Sequence, residues 1–67
     1  MDAAEKGLRY ARAFRKAGTF LGKGNIARAV ATLKEGRALA KELGDHSMAR
    51  RFAAEIESVS TGGNTSK

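Results

Sequence analysis

The one histidine, His46, stands between Asp45 and Ser47, which are the three residue types of a nucleophilic relay. Consecutive residues cannot build that relay, because it needs side chains converging from separate elements. Adjacent positions in a turn suit capping instead: Asp45 or Ser47 satisfies free amides and His46 faces solvent. Metal chemistry has no better footing. The chain contains no Cys, and Glu35, Glu42, Glu55 and Glu57 lack the spacing to a histidine that a zinc site requires. Gly22-Lys23-Gly24 has two closely spaced glycines but follows a helical pattern rather than a strand, so it is not a phosphate loop. The reading is of a non-enzyme with no cofactor and no metal.

The residue types left for intermolecular work are cations. Net charge is +6, and residues 1–34 hold eight Lys and Arg against two acids, so the whole excess lies in the first half. Such a balance favours an acidic protein surface or a nucleic acid as partner. Arg9, Arg12, Lys16 and Lys23 fall on one side of the first helical segment and are the candidate electrostatic contacts. Arg50 and Arg51 are the candidate contacts if the partner is nucleic acid.

Three amphipathic helices must position these groups, over about Asp2–Leu21, Ile26–Leu43 and His46–Val59. In the first, Tyr10, Phe14, Ala17 and Leu21 recur at helical spacing, with Ala3, Ala13 and Phe20 widening the stripe. Gly22-Lys23-Gly24 offers a left-handed C-cap and Asn25 an N-cap. A link this short makes the flanking helices antiparallel. In the second, the stripe is Ile26, Ala29, Val30, Leu33, Gly36, Ala40 and Leu43, and its mid-helix glycine implies a packing reason. Gly44 ends that helix. Met48, Phe52, Ile56 and Val59 line the third. The expected core is Tyr10, Phe14, Ala17, Phe20, Leu21, Ile26, Ala29, Val30, Leu33, Ala40, Leu43, Met48, Phe52 and Ile56. The expected architecture is all-α: a three-helix antiparallel hairpin-plus-one forming a single domain over residues 1–59, with a disordered tail over 60–67 that carries no apolar side chain.

The stretch GNIARAVATLKEGRALAKELGD, Gly24 to Asp45, resembles a tetratricopeptide repeat of the long-helix type found in bacterial regulators. Gly24, Ala29, Leu33 and Gly36 fill the turn, small, bulky and small positions of its second helix, while Ala17 and Phe20 fill the small and aromatic positions of its first. Lys16 and Gly36 depart from the usual Leu and Ala. The resemblance covers about one and a half repeats. It implies a protein-binding module without chemistry of its own, a small adaptor, inhibitor or regulatory subunit. Such repeats bury their faces by stacking on neighbours. A partial array therefore leaves an exposed flank for self-association or a bound partner, and the chain is expected as a homo-oligomer or in a complex.

The alternative is a nucleic-acid binder that uses the basic first helix or a helix-turn-helix-like segment over 36–56, in which Ala40 and Gly44 match the turn. Asp45 and Arg50 stand there where that motif wants buried apolar residues, and the preceding helix is too long for it. No apolar run approaches the length of a membrane span. The polar, acidic start Met1-Asp2-Ala3-Ala4-Glu5 is unlike a secretory signal. A cytoplasmic protein with no membrane association is the expectation.

Overall fold

A computed structural model describes residues 1–61 and contains three helices, α1 (Ala3–Gly22), α2 (Ile26–Glu42) and α3 (His46–Ser60). The fold is all-α. Each helix starts on the cap its sequence offers. Asp2, Asn25 and Asp45 accept from the amides of Glu5, Arg28 and Met48 respectively. Each such cap contributes about 1 kcal/mol. Gly24 and Gly44, at φ of 76° and 73°, make the two left-handed turns. Just after each, the chain closes the preceding helix with a bond back to its last turn: Asn25 N–H to the Phe20 carbonyl, and Asp45 N–H to the Ala40 carbonyl, both at 2.8 Å.

The three helices run up, down and up. Both α1 and α3 pack on α2, and they share no Cα pair within 8 Å of each other. Aromatic rings bridge that gap. Phe52 of α3 is fully buried, stacks on Phe14 at a centroid distance of 4.4 Å and meets Tyr10 edge-on at 5.8 Å. Gly36 of α2 lies under the same ring: a Cβ there would come within 3.0 Å of three Phe52 carbons. The mid-helix glycine is therefore the slot into which the bridging ring fits.

The core is Tyr10, Ala17, Ala29, Leu33, Ala40, Ala49, Phe52 and Ile56, with Phe14, Phe20, Leu21, Val30 and Met48 half-buried against it. Two residues of the expected core are not in it. Ile26 is 47% exposed and Leu43 38% exposed. They stand at the first residue of α2 and at its C-cap. Periodicity assigns a residue to a face but does not say how far along the axis a neighbour covers that face. Thr32 is buried instead, its hydroxyl donating to the Arg28 carbonyl at 2.8 Å. α3 extends through Ser60, one residue into the expected tail; the rest of that tail from residue 62 lies outside the described residues. No described helix is long and apolar enough to cross a membrane.

Candidate functional site

Two grooves run along the flanks of α2, and both are edged by cations. On the α1 side, Arg9, Arg12, Lys16 and Ala13 face Thr32, Glu35, Gly36 and Leu39. The same channel continues past Lys16 and Phe20 to Arg28 and Ala31. The pairing of Lys16 with Thr32 and of Phe20 with Arg28 is the register of an antiparallel hairpin. The Arg28 guanidinium lies 5.9 Å from the centre of the Phe20 ring, a contact that holds the charge at the groove edge. Glu35 is the one carboxylate in this lining.

Three of the four α1 cations singled out by sequence are thus brought together. Arg9, Arg12 and Lys16 share the groove, and Arg9 also meets Glu5 at 3.5 Å in an exposed pair worth a few tenths of a kcal/mol. Lys23 is not with them. It is the C-cap of α1, exposed, and its amide donates to the Phe20 carbonyl at 3.1 Å.

On the α3 side, Arg37 and Lys41 face His46, Ala49, Arg50 and Ala53. Sequence reading singled out only Arg50 here. The signal was nonetheless present: Arg37 and Lys41 are one turn apart, as are His46 and Arg50, and the Gly44 turn folds one pair against the other. Arg51, its expected companion, points elsewhere. Its guanidinium sits 5.7 Å over the Phe14 ring on α1, and it makes no ion pair with Glu55. The two arginines therefore serve different surfaces. In keeping with the mismatches to a helix-turn-helix, Asp45 is an N-cap and Arg50 is exposed.

Between the helix starts lies a polar clamp. The Tyr10 hydroxyl donates to Asp45 Oδ2 at 3.1 Å, and Lys6 Nζ lies 3.6 Å from the same oxygen. Asp45 Oδ1 meanwhile accepts from the Met48 amide at 3.2 Å. That amide bond first, then the Tyr10 hydroxyl and the Lys6 charge, hold the Asp45 carboxyl below its ordinary range. Burial, reinforced by the bond to Asp45 and its charge, pushes the Tyr10 phenol up. With its acceptors used in this way, the clamp joins α1 to α3. Lys6 thus pairs with Asp45, while Asp2, one turn from it on α1, accepts from the Glu5 amide as the cap of its own helix.

No family model, curated protein or solved structure matches the chain.

Proposed function

We propose that the chain is a non-enzymatic interaction module, an adaptor, inhibitor or regulatory subunit, that docks on an acidic protein surface through the α1–α2 groove. The observation that carries this reading is the joint lining of Arg9, Arg12 and Lys16 around a floor of Ala13, Thr32 and Leu39. Cations around an apolar floor suit an acidic amphipathic helix laid into the groove. Leu8, 51% exposed and one turn from Arg12, supplies an apolar anchor beside the charges. The tetratricopeptide-like pattern supports the same reading, since hairpins of that kind act by holding other chains. A cytoplasmic setting and self-association or a stable complex belong to this proposal.

Arg12→Glu/Lys16→Glu tests it. Both side chains are exposed, so helicity by circular dichroism stays unchanged. A partner captured from native cells, identified together with its stoichiometry by intact-complex mass, should bind the variant at least about tenfold more weakly. Undiminished capture rejects the assignment.

A second reading, nucleic-acid binding, is favoured by one observation. Of the twelve Lys and Arg among residues 1–61, Lys6 and Arg9 alone have a carboxylate within 4.0 Å among the described residues. Affinity for arbitrary duplex DNA would then fall steeply with salt. Absence of binding at low salt retires it.

A further inference from the structure

The α2–α3 groove differs from its neighbour in one respect: among the described residues, no carboxylate lines it. Arg37, Lys41, His46 and Arg50 edge the groove, and Ala49 and Ala53 form its floor. Asp45, next to His46 in sequence, is engaged elsewhere: the Met48 amide, the Tyr10 hydroxyl and the Lys6 ammonium occupy its oxygens. It therefore leaves the charge of the groove intact. Small floor residues let a ligand approach the groove walls closely, and Arg37 on the α2 wall is half-buried.

We propose that this groove is an oxyanion site for a phosphomonoester or diphosphate group, held by Arg37, Lys41, Arg50 and His46. The donors come from both walls of one short channel, each wall offering two groups about 6 Å apart along its axis. That arrangement surrounds a compact anion with charge-assisted donors, of which the guanidiniums are suited to bidentate contact with phosphoryl oxygens. The lining is short, Arg37 to Lys41 on α2 and His46 to Ala53 on α3, a length that suits a compact phosphate rather than a long polyanion. The site is independent of the protein-docking reading, because it uses the other flank of α2.

The test is a titration of the whole chain with inorganic pyrophosphate, followed by amide and histidine-ring NMR. Saturable shifts are expected at residues 37–41 and 46–53, including the His46 ring. Lys41→Gln/Arg50→Gln should weaken the apparent affinity by about tenfold or more, the effect of losing charge-assisted contacts. Arg15→Gln, an exposed cation of α1 that lines neither groove, should leave it unchanged. Absence of saturable shifts, or an equal loss in Arg15→Gln, overturns the proposal. So does binding of a short DNA duplex in place of pyrophosphate with shifts spread over α1, which would mean a track for a nucleic-acid backbone.

Discussion

Gly36 shows how a single missing methyl sets the geometry of the whole bundle. An alanine there would gain about 1 kcal/mol of helix propensity. It would also drive a Cβ into the Phe52 ring, which cannot retreat because Phe14 stacks on it and Tyr10 meets it edge-on. Overpacking of this kind costs about 1–3 kcal/mol, so Gly36→Ala should be net destabilising, by up to about 2 kcal/mol. Chemical denaturation checks this: a higher midpoint for the alanine variant would mean that the ring moves aside freely. Sequence reading assigned Gly36 to the buried stripe and inferred a packing reason for it, but the identity of the ring above it depends on how α3 docks. The same holds for Arg51. Its spacing to Glu55 suggests an ion pair, yet Phe14 lies close enough to hold it instead.

At the scale of the element, caps and turns were the most legible features, because Asn25, Asp45, Gly24 and Gly44 act through local backbone geometry alone; Asp2, expected inside the first turn of α1, caps it instead. The basic groove on the α3 side was not read, because it arises from the register between two helices and neither pair of residues is distinctive alone. Ile26 and Leu43 were misplaced for the same reason: coverage at the end of a helix is set by its neighbours. The start of α3 carries a prediction about acid. The Asp45 carboxyl is depressed in the folded chain relative to the unfolded one, so it stabilises the fold above the ordinary carboxylate value of about 4. That contribution is lost as pH falls through the depressed folded-state value. Thermal midpoints should fall less steeply on acidification in Asp45→Asn than in the parent chain, and identical acid profiles would assign the loss to other carboxylates. The raised Tyr10 phenol acts at the other end of the scale, its contribution being lost as pH rises above about 10.

For the molecule as a whole, a charge of +6 on 67 residues, with few ion pairs, means that the cations repel one another. Screening relieves such repulsion. Added sodium chloride should therefore raise the melting temperature, by about 4–8 °C for about 1 kcal/mol of relief, while it weakens the binding of any acidic partner. A melting temperature that falls with salt would show that attractive pairs outweigh the repulsion. The arrangement in which α2 touches both neighbours while α1 and α3 meet through side chains has a kinetic consequence as well. Backbone contacts join helices adjacent in the chain, so little loop entropy is lost before each contact forms. Helical topologies of this low contact order reach the native state in microseconds to milliseconds. The chain contains no proline, so no prolyl isomerisation delays any fraction of the molecules. Refolding after a rapid denaturant jump should then be a single phase complete within about 10 ms, so both grooves flanking α2 re-form almost as soon as the chain is released.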